Sequence, residues 1–154
     1  MILAYALLVF SAFEDLRRMS VSPVVVGAMW LVVFVETAGW QQWPQAFILI
    51  LITVWALWPD LPAFFVWLFL FYPPYWPVTL LAAGSREGVI GEADVVAMSA
   101  LALWSPMVAW AGFAGMLLWW LWQRRKGRLW VPALPGILAG VLLFFIGGLW
   151  RWGG

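Results

Sequence analysis

The chain has 154 residues, 66% of them apolar, with 15 Trp and 11 Phe but only 8 basic and 7 acidic side chains. A globular domain usually has about a quarter of its residues charged, and the 10% present here is too little to cover the surface that a domain this small leaves in water. The absence of Cys and His excludes disulfides, thiolate chemistry and imidazole as base or ligand, and a net charge of +1 gives no reason to expect a nucleic-acid partner.

These proportions predict an all-α, polytopic integral membrane bundle, one domain over residues 1–154, with about six transmembrane helices in the cell membrane. The first apolar run, Met1 to Phe13, is followed by Glu14-Asp15-Leu16-Arg17-Arg18. Its positive charges come after the run rather than before it, so it reads as a retained helix that continues through the charged stretch. The basic pair places that end in the cytoplasm and the N-terminus outside. Val21 to Gly39 is the second run, closed by Trp40-Gln41-Gln42-Trp43, with Glu36 as an interfacial charge near its end. Pro44 to Trp58 and Ala63 to Ala83 follow, separated by Pro59-Asp60-Leu61-Pro62, where Asp60 suits a turn or a helix cap. Pro73, Pro74 and Pro77 should break the second of these, since a proline in a helix interior costs about 3 kcal/mol. One irregular or re-entrant segment is therefore expected within residues 44–82.

The stretch Gly84 to Asp94 reads as a loop entering a helix at about Asp94. Val95 to Trp104 and Met107 to Trp122 read as two helical segments around Ser105-Pro106. The cluster Arg124-Arg125-Lys126-Gly127-Arg128 marks the cytoplasmic side and suits anchoring to anionic lipid headgroups. Leu134 to Trp150 supplies the last crossing, with Arg151 and the final glycines beyond it. Gly136 and Gly140, and less regularly Gly112 and Gly115, suit close helix packing.

Four of the seven carboxylates fall in two places, Glu14/Asp15 and Glu92/Asp94, 79 positions apart yet expected at the same membrane level. Two carboxyl groups brought close together share a proton and can hold, deprotonate and re-protonate a water and a leaving group. Such chemistry needs no metal or cofactor. Asp94 at a helix N-terminus would have its ionised form favoured by the end dipole, which suits it to the role of base. Both acids are equally consistent with interfacial charges or helix caps.

The string Phe13-Glu14-Asp15-Leu16-Arg17-Arg18-Met19-Ser20-Val21 resembles the first aspartate motif of the prepilin peptidases and archaeal preflagellin peptidases, the GxGD-type intramembrane aspartyl peptidases. Gly91-Glu92-Ala93-Asp94 resembles their second motif, Gly-x-Gly-Asp, and Val131-Pro132-Ala133-Leu134-Pro135 with Gly140 looks like the entry to their last helix. The resemblance implies Asp15 and Asp94 as catalytic, with Gly91, Ala93, Pro132, Pro135 and Gly140 in support. Ala93 stands where the motif has glycine, Val96 where a lysine is frequent, and Ser22 where proline is frequent. The implied activity is removal of the leader from type IV pilin-like or archaellin-like precursors at the cytoplasmic face, without methyltransferase activity. Glu14 and Glu92 would attract the basic leader, and membrane lipids would surround the bundle. Alternatives from other classes are a noncatalytic membrane scaffold and a small proton- or cation-coupled transporter.

Overall fold

The computed structural model describes residues 2–37, 43–58, 60–62, 70–128 and 131–152, with side chains as far as residue 148 except that of Thr37. The expected Trp40-Gln41-Gln42 turn, Pro59, the apolar stretch 63–69 and the terminal glycines lie outside the described residues.

Seven α-helices are present among the described residues: α1 (Ile2–Arg18), α2 (Pro23–Thr37), α3 (Trp43–Leu57), α4 (Trp76–Arg86), α5 (Glu92–Trp104), α6 (Pro106–Arg125) and α7 (Leu134–Trp152). Prolines mark several starts. Pro23 opens α2, Pro106 opens α6, and Pro77 sits in the first turn of α4, where a missing N–H removes no intrahelical bond. The Pro73-Pro74-Tyr75 segment forms a single 3-10 turn that leads into α4. That helix runs on through Gly84, Ser85 and Arg86, which the sequence reading assigned to a loop, and α5 begins two residues before Asp94. Ser105 is extended (φ −163°, ψ 132°), so α5 and α6 are separate helices rather than one kinked element.

Helix α5 is central. It packs against α2, α3, α4 and α6, and its Val95, Ala97, Met98, Ala100 and Leu101 are all buried. Helices α6 and α7 make the closest pair. A Cβ on Gly136 would lie 2.7 Å from the Trp119 Cβ, and one on Gly140 would overlap the Ala111 carbonyl oxygen. Glycine at these positions lets the two backbones approach, as small residues do at any tight helix crossing. The C-terminal end of α3 is held from α4. The Arg86 guanidinium donates to the Trp55, Trp58 and Leu61 carbonyl oxygens at 2.9, 3.0 and 2.6 Å and lies 4.7 Å from the Trp55 ring centre. Carbonyls that a helix end leaves unpaired are thereby satisfied by a charged donor.

Among the described residues no helix is long and apolar enough to cross a membrane. A hydrocarbon layer about 30 Å thick needs about 20 consecutive apolar residues. Helices α1 to α5 have 17, 15, 15, 11 and 13 residues. The 20 residues of α6 end on Gln123-Arg124-Arg125, and the 19 of α7 carry Arg151 in the last turn. The expected fold is corrected accordingly. The chain is all-α, but it is not the six-crossing membrane bundle that composition suggested, and neither the multi-pass localisation nor the outward N-terminus stands. Apolar composition reported the chemistry of the helices; their lengths decide against the crossings.

Candidate functional site

The two motif aspartates come together. Asp15 lies in the last turn of α1 and Asp94 in the first turn of α5, and both are buried at the lining of one cleft of about 1200 Å³. Each carboxylate is aimed by a helix N-terminus. The Asp15 Oδ2 accepts the backbone N–H of Leu134, the first residue of α7, at 3.2 Å across 119 positions of sequence. The Asp94 Oδ2 accepts the N–H of Gly91, the N-cap of its own helix, at 3.2 Å. A helix start leaves such donors unpaired, and a carboxylate suits both the donors and the dipole. Gly91 is confined by this arrangement, since a Cβ there would lie 3.1 Å from the Asp94 Oδ2.

Burial raises the Asp15 carboxyl above the usual range, partly offset by the Leu134 and Ala133 backbone donors. For Asp94, burial and then the nearby Asp15 charge push the carboxyl up to about 7, against the pull of the Gly91 N–H. Desolvation therefore outweighs the helix dipole that the sequence reading set in favour of an ionised Asp94. Both carboxyls are thus shifted toward their protonated forms, and the pair holds a proton more readily than exposed carboxylates do. Neither carboxylate has an ion-pair partner among the described residues.

The other expected site residues divide. Gly91, Ala93 and Glu92 line the same cleft, Glu92 exposed at its edge, and Pro132 lines it from the segment before α7. Glu14 does not line it: its Oε2 accepts the Ser22 N–H at 3.1 Å and its Oε1 lies 3.8 Å from the Arg18 guanidinium, so it fastens the α1–α2 turn. Pro135 is buried in the first turn of α7, and Gly140 serves the α6–α7 crossing. Glu36 and Asp60 are exposed. Sequence reasoning missed the α6 wall, Met116, Leu117, Trp119, Trp120 and Arg124, because apolar residues recur on every face of that helix and nothing marks this one. It also missed the backbone donors at Ala133 and Leu134, which no side-chain pattern encodes.

No family model, no curated protein and no solved structure matches the chain. The resemblance to the prepilin and preflagellin peptidases thus rests on three short strings and assigns no family. Among the described residues there is also no group of three or more acidic side chains able to hold a metal ion. An intramembrane aspartyl peptidase needs membrane-spanning helices to host its acids, and none is present among the described residues. The expected protease, with its pilus, archaellum and signal-peptide associations, is corrected on these grounds. The membrane scaffold and the membrane transporter fall with the crossings they require.

Proposed function

We propose that the Asp15/Asp94 cleft is a binding site for a molecule with an apolar body and one cationic group, and that binding is coupled to a proton. The observation that carries this reading is the pair itself: two buried acids, neither of them in an ion pair among the described residues, face a cleft with apolar walls of Val26, Val96, Met116 and Leu117. Its volume of about 1200 Å³ is ample for a drug-sized ligand or a short peptide segment. An ammonium or guanidinium group entering there neutralises charge that burial has made costly, and the walls take up the ligand's apolar surface. The role expected of Asp15 and Asp94 becomes cation capture with a mobile proton. A peptide with a basic residue beside an apolar run, the chemistry of the precursor partners inferred from sequence, belongs to this ligand class.

The test compares decylamine with decanol by calorimetry on the purified protein. Decylamine should bind at least tenfold more tightly, and Asp15→Asn should remove most of that preference. Equal affinity for the two probes would refute a cation site. Affinity for the amine should also rise between pH 5 and pH 8, as Asp94 ionises through its pKa of about 7.

A further inference from the structure

The cleft that holds the two acids also holds a base. Arg124, in the last turn of α6, is exposed and lines the same cavity as Asp15 and Asp94. Among the described residues its guanidinium meets no carboxylate; it lies 5.1 Å from the Trp120 ring centre, and Trp120 lines the cavity beside it. Stacking on an aromatic face steadies a guanidinium in one plane and leaves its N–H fork free for an oxyanion. Met116, Leu117 and Val96 line the same cleft and give it apolar wall. Arg125 is the natural comparison, since it shares the last turn of α6 and its dipole environment but does not line the cleft. A role confined to the helix end would fall on both arginines alike. A role in the cleft falls on Arg124 alone.

We infer that the ligand is dipolar: its cationic group sits at Asp15 and Asp94, an apolar chain crosses the cleft, and an anionic group, a carboxylate or phosphate, is held by Arg124 against Trp120. This rests on the cation-site reading above and adds a second, oppositely charged end to it. Arg124 is then a specificity-determining residue, because an amine with a neutral tail leaves its fork unpaired while a chain with charges at both ends does not.

The experiment measures binding of ω-amino carboxylates of six, eight and eleven carbons, each against the simple amine of equal length. At one length at least, the amino acid should bind about tenfold more tightly than the amine, the value of one charge-assisted pair. Arg124→Gln should abolish that advantage, and Arg125→Gln, outside the cleft, should preserve it together with the amine's own affinity. If the amines bind but no amino acid exceeds its amine, or if Arg125→Gln removes the advantage as fully as Arg124→Gln, the dipolar ligand is excluded and the cation site survives. If the amines themselves bind no better than the matching alcohols, both readings fail together. Melting curves of each variant with no probe present separate lost binding from lost fold.

Discussion

At the scale of single residues, the acid pair has consequences for stability that can be measured without a ligand. The Asp94 carboxyl titrates at about 7 in the folded chain against 3.8 when unperturbed, so folding favours its protonated form. That contribution is complete below about pH 4 and is lost as pH rises through about 7, and the native state weakens over that window. Asp94→Asn keeps an acceptor for the Gly91 N–H and carries no charge. It should match the parent's stability near pH 4 and exceed it at pH 8 by on the order of 4 kcal/mol, read from denaturant melts at the two pH values. Asp15→Asn should lower the Asp94 pKa, because it deletes the neighbouring charge that helps to raise it; carboxyl-carbon NMR titration reads this directly. The sequence made the two aspartates legible as a pair, because so few carboxylates occur in so apolar a chain. It could not reveal that both carboxyls are pushed toward their protonated forms. That depends on burial and on the Leu134 and Gly91 amides, which the fold brings to the carboxylates.

At the scale of elements, two junctions hold the cleft walls in place. The α6–α7 crossing relies on Gly115, Gly136 and Gly140, and a Cβ on Gly140 would overlap the Ala111 carbonyl. Gly140→Ala should therefore destabilise by about 3 kcal/mol. Gly147→Ala, on the same helix with nothing within 4 Å, should be neutral or gain up to about 1 kcal/mol. Thermal or denaturant melts of the two variants check the contrast. The α3–α4 junction relies on Arg86, whose three carbonyl contacts no neutral side chain can replace, and Arg86→Met should cost about 2–4 kcal/mol by the same melts. Helix starts were readable only approximately: α5 begins at Glu92, two residues before the expected Asp94, and Pro106, which sequence alone could equally place inside a kinked element, opens α6. The end of α4 was not, because Gly84 and Ser85 look like loop residues yet continue the helix. There the Ile90 side chain closes over Gly84, with its Cδ1 only 2.7 Å from where a Cβ would sit.

At the scale of the whole molecule, apolar composition is a poor guide to what is inside. In α2, Val24 is 78% exposed and Val26 1%, while Leu31 is 62% exposed and Val33 0%. The residue types match and only position differs, so no periodicity in hydrophobicity could separate core from surface. Small residues track the interior better: Ala4, Ala12, Ala46, Ala97, Ala100 and Ala109 are all buried, where helices approach closely. The same uniform apolarity suggests membrane crossings that no helix among the described residues is long and apolar enough to make. What the bundle does build is one cleft where α1, α5, α6 and the approach to α7 converge on two acids. On the function proposed above, capture of a cation there displaces a proton. Calorimetry of decylamine binding at pH 7, run in phosphate and in Tris, counts that proton from the difference in apparent enthalpy. The cleft predicts a measurable fractional proton release per ligand, since the raised Asp94 carboxyl is partly protonated at that pH, and a much smaller release from Asp94→Asn. Identical enthalpies in the two buffers for the parent protein, or an undiminished release from Asp94→Asn, would contradict it.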